Sequence, residues 1–231
     1  MSEDRSGDFP RCALCREISR ICTDPGGTGP PWCPTLTAGE LVRKAFSEYS
    51  DGPVRELALA STVQEGECYL GRSAGADSAP YPVKPRAVEV AELAAKMGWK
   101  RIGIAFCTGL FEEARMFSGF LESSGLEAVS VVCKAGRTPK EEIGITDGQK
   151  IRIGRFEAMC SPVAQAMILN HHRTDFNVVL GLCVGHDSLF FRYSSAPVTV
   201  LVAKDRVTGH NPAAVLHTLH SYYRNITRRP F

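Results

Sequence analysis

Residues 178–191 read VVLGLCVGHDSLFF, an apolar run that leads into a cysteine, a glycine, a histidine and an aspartate. The first half has the uninterrupted, β-branched hydrophobicity of a parallel strand that is covered on both faces. Gly185, followed by His186 and Asp187, indicates a turn into a helix. The segment therefore predicts a buried strand with Cys183 at its carboxyl end.

Two other segments repeat this construction. RIGIAFC (residues 101–107) ends in Cys107 before a helical pattern, and EAVSVVC (residues 127–133) ends in Cys133. Open α/β sheets bind their ligands beyond the carboxyl ends of the strands. The cysteines at three predicted strand ends therefore indicate one crevice that could hold a ligand.

Length and composition describe an ordinary globular chain. Its 231 residues are 44% hydrophobic and 23% charged, which suits a full α/β core in one main domain. The formal net charge is only +2, so nucleic acid is not expected as a partner. No apolar run is long enough for a membrane helix, and the start, MSEDRSGDFP, is polar. We therefore expect no membrane association and a cytoplasmic location.

Nine cysteines in such a chain are better explained as metal ligands or reactive thiols than as disulfides. Four of them, Cys12, Cys15, Cys22 and Cys33, have the spacing C-x2-C-x6-C-x10-C in a Gly- and Pro-rich loop. The x2 spacing lets two thiolates face one ion, so residues 1–36 are interpreted as a cysteine-rich metal-binding arm. Tetrahedral zinc and a four-cysteine iron–sulfur cluster both fit, and unrelated surface thiols are the alternative.

The rest of the chain is predicted as a helical segment and an α/β core. Residues 37–84 contain two helical patterns, 37–50 and 53–63, and a connector with Cys68, which is either an ordinary thiol or a reserve ligand. Residues 85–231 form the core domain. Its predicted strands are 101–106, 127–132, 177–182 and 198–205, and its predicted helices are 85–98, 110–124, 162–172 and 212 to about 224.

This order predicts an α/β fold with a doubly wound, mainly parallel four-stranded sheet. Its strand order is expected to be 2-1-3-4, in a Rossmann- or flavodoxin-like arrangement of three layers. A polar excursion over residues 134–156 delivers Cys160 to the start of a helix, where a thiolate is favoured. Cys107, Cys133, Cys160 and Cys183 are therefore predicted to form a second ligand set, with ordinary core thiols as the alternative.

Polar residues follow the third and fourth predicted strands. The candidates for catalysis are His186, Asp187, Lys204, Asp205, Arg206 and His210. Two cations near a helix start favour a small anion as the guest, and a capped turn with solvated charges is the alternative. Cys107 with His186 or His210 as its base could instead act as a nucleophile.

Several of these motifs resemble the DUF1847 family of uncharacterised proteins. The resemblance lies in IGIAFCTGL, VVCKAG, EAMCSPVAQAMILN, GLCVGHDSLF and APVTVLVAKDRVTGHNP, together with the CALC start, and it extends from Cys12 to about Tyr223. It implies metal binding by both cysteine sets and a role for the polar motifs, including Asn211. The chain departs from the family in Ser161, where asparagine is expected, and in the longer gap between Cys15 and Cys22.

Three hypotheses follow from the sequence. The first is an iron–sulfur protein, with one cluster, [4Fe-4S] preferred, held by the four N-terminal cysteines and a second possible in the crevice. It performs redox or sulfur-handling chemistry on a small, anionic molecule, with a redox partner protein possible. The second is a zinc-binding module without catalysis. The third is a transferase or hydrolase with a cysteine nucleophile.

Overall fold

The computed structural model of the chain describes residues 9–72 and 79–226. The predicted polar start (1–8), part of the predicted connector (73–78) and the end of the predicted core (227–231) lie outside the described residues. The chain divides into two compact units, one up to Val63 and one from Gln64 onward. No helix within the described ranges combines the length and the apolar character that crossing a bilayer requires.

The first unit contains a short 3-10 turn and the first helices. The turn is Cys12–Leu14, α1 is Pro34–Thr37, α2 is Gly39–Ser47, and α3, Gly52–Glu67, spans the boundary between the units. The sequence predicted one helix over residues 37–50. The structure interrupts it at Ala38, whose φ of −118° and ψ of 29° lie outside the helical region.

The second unit alternates strands and helices after a short antiparallel hairpin. Its elements are β1 (Tyr69–Leu70), β2 (Tyr81–Pro82), α4 (Arg86–Met97), β3 (Arg101–Phe106), α5 (Phe111–Ser123), β4 (Glu127–Val132), α6 (Pro162–His171), β5 (Phe176–Leu180), α7 (His186–Tyr193), β6 (Val198–Val202) and α8 (Ala213–Thr218). The predicted caps of α4 are confirmed: it begins after Pro85 and ends at Gly98, which has a φ of 68°.

Four of the strands form one parallel sheet with the order β4-β3-β5-β6. This confirms the predicted order 2-1-3-4 and the parallel pairing of the strands that precede Cys107 and Cys183. Parallel neighbours need crossover connections, and the helices supply them. All four carboxyl ends therefore lie at one edge of the sheet.

Alternating side chains of the strands build a core on each face of the sheet. Ile102, Ile104 and Phe106 pack with residues of α4 and α5, whereas Ala105 and Cys107 pack with residues of α6 and α7. The period of two along each strand produces this division. The result is the predicted doubly wound arrangement of three layers.

A glycine in β3 is required by a polar group of β5. A Cβ atom at Gly103 would lie 1.9 Å from Oδ1 of Asn177, which is fully buried. That oxygen accepts a hydrogen bond from Thr174, and Nδ2 of Asn177 donates to Ser194 over 2.8 Å. The buried amide of Asn177 thus has its hydrogen-bond partners, and its position leaves no room for a side chain at position 103.

Two elements of the sheet region are shorter than predicted. The strand predicted over 177–182 ends at Leu180, because Gly181 turns the chain with a φ of 71°. A Cβ atom there would lie 2.0 Å from Leu110 Cδ1, so only glycine fits. The strand predicted over 198–205 ends at Val202.

The last helix is also shorter than the predicted 212 to 224. α8 ends at Thr218, whose hydroxyl donates to the carbonyl oxygens of Ala214 and Val215, an arrangement that bends helices. The helix buries no residue, so core packing does not extend it.

Candidate functional site

The two adjacent strands β3 and β4 place Cys107 and Cys133 side by side. Phe106 and Val132 are the last partners in the register, so the two cysteines are the next residues of neighbouring strands. The backbone of each is fixed: Cys133 N–H donates to Phe106 O over 2.8 Å, and Cys107 N–H donates to Leu180 O over 3.0 Å. Both side chains lie on the face that is covered by α6 and α7.

The excursion between β4 and α6 brings Cys160 to the same place. Its two arms pair through an antiparallel bridge between Pro139 and Ala158 and through a 2.8 Å bond from Met159 N to Thr138 O. Ser161 N–H then donates to Cys133 O over 2.7 Å. Cys160 therefore returns beside Cys133, although the two are distant in sequence.

A buried lysine orders the tip of the excursion, which contains 3-10 turns at Lys140–Ile143 and Asp147–Gln149. The Lys150 side chain is 5% exposed, and its ammonium lies 2.6 Å from Glu141 Oε1 and 2.8 Å from Asp147 Oδ1. It also donates to the carbonyl oxygen of Arg155 over 2.9 Å. A buried cation that is paired in this way holds its loop in one conformation.

Three cysteines lie together at this edge. Cys107 and Cys133 belong to one buried cluster, against which Cys160 packs, and the interactions of Cys133 with the other two shift the pKa values of all three. Backbone N–H groups at the start of the turn before α5 donate to two of the sulfurs: Thr108 donates to Cys133 Sγ over 3.4 Å, and Gly109 donates to Cys107 Sγ over 3.5 Å. We call Cys107, Cys133 and Cys160 the thiol triad.

Interactions within the triad shift the pKa values of its members in opposite directions. The hydrogen bond from Cys133 lowers the pKa of Cys107 to about 5, assisted by the Gly109 N–H group and the charge of Lys204. The hydrogen bond to Cys133 likewise lowers the pKa of Cys160 to about 6. Contacts with both neighbours raise the pKa of Cys133, and burial adds to this effect. The interactions of Cys133 therefore favour the thiolate form of the outer two sulfurs, although its single S–H proton can be donated fully to only one of them at a time.

Three cations and a histidine interact with these sulfurs. Lys204 interacts with Cys107, and a Cβ atom at Gly109 would lie 3.5 Å from Lys204 Nζ and 3.9 Å from Cys107 Sγ. Lys134 and His186 both interact with Cys160 and lower its pKa. Arg206 donates to Cys183 Sγ over 3.0 Å, and its charge also acts on Cys107 and Cys160. Cys183 is thus joined to the triad through Arg206.

The remaining polar candidates form hydrogen bonds with backbone N–H groups of the turns in which they lie. Oδ1 of Asp187 accepts hydrogen bonds from the N–H groups of Gly185 and Ser188 at the start of α7. Asp205 accepts from Val207 and Thr208, and its own N–H group donates to His210 Nδ1 over 3.1 Å. The predicted catalytic set therefore divides: His186, Lys204 and Arg206 act on the sulfurs, and Asp187, Asp205 and His210 shape the backbone.

The N-terminal cysteines lie in the first unit. Cys12 and Cys22 are exposed, Cys15 is half-buried and Cys33 is buried. Across residues 9–72 and 79–226, no three His, Cys, Asp or Glu side chains already stand in the arrangement of a metal site. Metal binding by this arm stays a prediction, as does metal binding by the strand-end cysteines.

Sequence reasoning missed three contributors to the site. Lys134 directly follows Cys133, and its ammonium donates to the carbonyl oxygen of Ala158. Thr108 contributes its backbone N–H group beside that of Gly109, whose position at a helix start the sequence had indicated. Gln165 is fully buried on α6 and donates to the carbonyl oxygens of Phe106 and Val131 at 3.2 and 2.7 Å. An apolar helix with one glutamine at its centre was the signal for Gln165.

Fold and site together define an α/β protein with a cluster of thiols and cations at the carboxyl edge of a parallel sheet. The chain belongs to the DUF1847 family, a family of proteins of unknown function, whose model matches residues 33–201. A relative from Methanocaldococcus jannaschii, the uncharacterized protein MJ0455, is 44% identical over 184 residues. The alignment covers 80% of this chain and 86% of the relative.

Two solved structures of Dph2 from Pyrococcus horikoshii, one with a 4Fe-4S cluster, have limited similarity to this chain. Each has a TM-score of 0.34 and 18% sequence identity, over 63% of this chain and 33% of the Dph2 chain. The chain thus spans about one third of the length of Dph2 in these comparisons. Similarity at this level assigns neither fold nor function.

Proposed function

We propose that the protein is a cytoplasmic iron–sulfur protein that performs redox or sulfur-handling chemistry on a small anionic molecule. The observation that carries the proposal is the thiol triad, in which Cys133 contacts both Cys107 and Cys160 at the carboxyl edge of the sheet. Ligands of α/β proteins bind at this edge. Three sulfurs from three separate elements meet there, and ordinary core packing does not require that.

The chemistry of the donor set fits a cluster. Thiolates are the ligands of iron–sulfur centres, and the pKa values of two of the three triad cysteines, Cys107 and Cys160, are lowered. The N–H groups of Thr108 and Gly109 donate to sulfur, as groups that tune such centres do. Cys107, Cys133 and Cys160 would hold the cluster, with Cys183 as the fourth ligand. A bound cluster would supply one-electron transfer.

The cations explain why the substrate is proposed to be an anion. Lys204 and Arg206 lie beside Cys107 and Cys183, and each presents N–H donors that suit a carboxylate or phosphate. Neither is neutralised by a carboxylate in the ion pairs of the described residues. These two side chains would orient the substrate, and a redox partner protein would exchange electrons with the centre.

A zinc-binding module is the second candidate, and the contact between sulfurs favours it. Tetrahedral bonds of about 2.3 Å place sulfurs about 3.8 Å apart around one zinc ion, which is close to a hydrogen-bonding contact between thiols. The N-terminal cysteines could hold zinc in the same way. The lowered pKa of Cys107 also suits the third candidate, a cysteine nucleophile without metal in the crevice.

Metal analysis with a visible absorption spectrum after anaerobic purification distinguishes these candidates. The proposal expects iron and acid-labile sulfide in a coloured protein with visible absorption. Zinc in a colourless protein would overturn it in favour of the module. A protein without metal and with one rapidly alkylated thiol would overturn it in favour of the nucleophile.

The variant Cys183→Ser locates the metal. It should lose metal from the strand-end site and retain any metal of the N-terminal arm. Cys68→Ser is the matched control, because Cys68 is buried in a separate set of contacts with Gln64 and Glu89. Equal metal loss in both variants would contradict the assignment to the strand ends.

A further inference from the structure

Cys133 is the neighbour of both other members of the thiol triad. Cys107 and Cys133 share one buried cluster, and Cys160 packs against it. Cys183 has a different partner, the guanidinium of Arg206. Cys133 is thus the central member of the triad.

Backbone geometry brings both pairs of cysteines together. Cys107 and Cys133 follow the paired residues Phe106 and Val132 on parallel strands, which lie about 4.8 Å apart. A disulfide accepts Cα separations of about 4.4 to 6.8 Å, so this pair needs movement of side chains more than of backbone. Cys160 is held beside Cys133 because the next residue, Ser161, donates its N–H group to Cys133 O over 2.7 Å.

We propose that the thiol triad is a relay for thiol–disulfide exchange, in which Cys133 forms a disulfide alternately with Cys160 and with Cys107. The relay concerns the metal-free protein and does not depend on which metal the site binds. It adds an activity, the reduction of a small-molecule disulfide with oxidation of two protein thiols, to the proposed iron–sulfur function.

The accessibility of the sulfurs sets the order of the steps. Cys160 is half-buried, whereas Cys107 is 8% exposed and Cys133 is 2% exposed. The Cys160 thiolate attacks one sulfur of an external disulfide, R–S–S–R, which forms a mixed disulfide and releases one thiolate, RS⁻. Cys133 then attacks the Cys160 sulfur, which forms the Cys133–Cys160 disulfide and releases the second RS⁻. The proton of Cys133 leaves with the second thiolate as RSH.

The relay continues inward without a further oxidant. The Cys107 thiolate attacks Sγ of Cys133, which forms the Cys107–Cys133 disulfide and returns Cys160 to the thiolate. Overall, two protein thiols lose two electrons and one external disulfide is reduced to two thiols. The exposed thiolate is then free to react again.

Peptide mapping tests the relay, because each sulfur lies on its own tryptic peptide. Cleavage after lysine and arginine places Cys107 in residues 102–115, Cys133 in 116–134, Cys160 in 156–173 and Cys183 in 174–192. The reduced full-length protein is freed of metal with a chelator, checked by metal analysis and treated with oxidised glutathione. It is then alkylated, digested without reductant and analysed by mass spectrometry.

The relay predicts two linked pairs in the wild-type protein, Cys107 with Cys133 and Cys133 with Cys160. Cys160→Ser should keep only the first pair and Cys107→Ser only the second. Cys133→Ser should lose both and stop at glutathione adducts, whereas the control Cys68→Ser should keep both, because Cys68 has separate contacts with Gln64 and Glu89. Circular dichroism verifies the fold of each variant, and the wild-type map decides the matter where a variant does not fold.

Two results would overturn the relay. One is a wild-type map without either linkage to Cys133, and the other is a linkage that persists between Cys107 and Cys160 in Cys133→Ser. Metal content is measured separately on the protein as purified. A protein that binds no metal but forms both linkages would overturn the iron–sulfur proposal and leave the relay intact.

Discussion

The backbone N–H group of Ser161 donates to the carbonyl oxygen of Cys133 over 2.7 Å. This bond joins the residue at which the long excursion begins to the residue that follows its end. Cys160 precedes Ser161, so its position beside Cys133 is set by the backbone as well as by its own side chain. The excursion is therefore part of the site, since its folding determines whether two of the three sulfurs meet.

The lowered pKa of Cys160 makes the reactivity of its thiol a sensitive measure of its interaction with Cys133. Its value of about 6 means that the thiolate prevails above pH 6, whereas an unfolded cysteine deprotonates near pH 8.5. We expect the rate of alkylation by iodoacetamide to reach half its maximum near pH 6. At pH 7 it should exceed that of Cys160 in the denatured chain by about twofold, because about 30 times more thiolate is offset by the lower nucleophilicity of a thiolate with a lower pKa.

Cys68 is the internal control for this measurement, because burial raises the pKa of its thiol. It should be alkylated slowly across the whole range in the same digest. A Cys160 profile with a midpoint near pH 8.5 would show that the hydrogen bond with Cys133 does not form in solution.

Replacing Lys150 by methionine should loosen the excursion. The change leaves Glu141 and Asp147 without the cation that holds both carboxylates, and the carbonyl oxygen of Arg155 without a donor. We expect faster hydrogen exchange over residues 138–158 and faster proteolysis there, with little change in the sheet.

Lys100→Met is the matched control, because Lys100 is exposed and directly precedes β3, outside the excursion. If Lys150→Met exchanged no faster than this control, the buried lysine would not be what orders the excursion. Loss of the lowered pKa of Cys160 in Lys150→Met would link the loop to the thiols.

The close approach of Gly103 and Asn177 predicts a large effect of a single methyl group. A Cβ atom at position 103 would overlap Asn177 Oδ1 at 1.9 Å, so Gly103→Ala should lower the free energy of unfolding by about 1 to 3 kcal/mol or more. Gly119→Ala has no atom within 4 Å of its new Cβ and lies within α5, so it should raise that free energy by about 0.5 to 1 kcal/mol. Urea denaturation of both variants checks the pair, and equal stabilities would show that Asn177 moves away freely.

The sheet could be predicted from the sequence because its signals are local. Continuous apolar runs that end in cysteine located β3, β4 and β5, and the helices between them required parallel pairing. Pro85 and Gly98 likewise placed the ends of α4. The errors in element bounds lie where backbone conformation decides, as at Gly181, whose positive φ ends β5.

The site was less predictable because its chemistry depends on contacts between distant segments. Topology indicated that the strand ends of Cys107 and Cys133 are adjacent, but no spacing could show that Cys133 contacts two sulfurs. The sequence also could not show which polar residues contact the sulfurs and which form hydrogen bonds with the backbone. Arg206 and His210 are near in sequence, yet one contacts Cys183 and the other accepts a backbone N–H hydrogen bond.

Metal content of one pair of full-length variants tests the central claim most directly. In the first variant, serine replaces the four N-terminal cysteines, Cys12, Cys15, Cys22 and Cys33, so that only the strand-end site can bind. The second adds Cys133→Ser. The account predicts iron and sulfide in the first variant after anaerobic purification and loss of both in the second. A first variant without metal, or a second that retains all of it, would contradict the assignment of the metal to the strand-end cysteines.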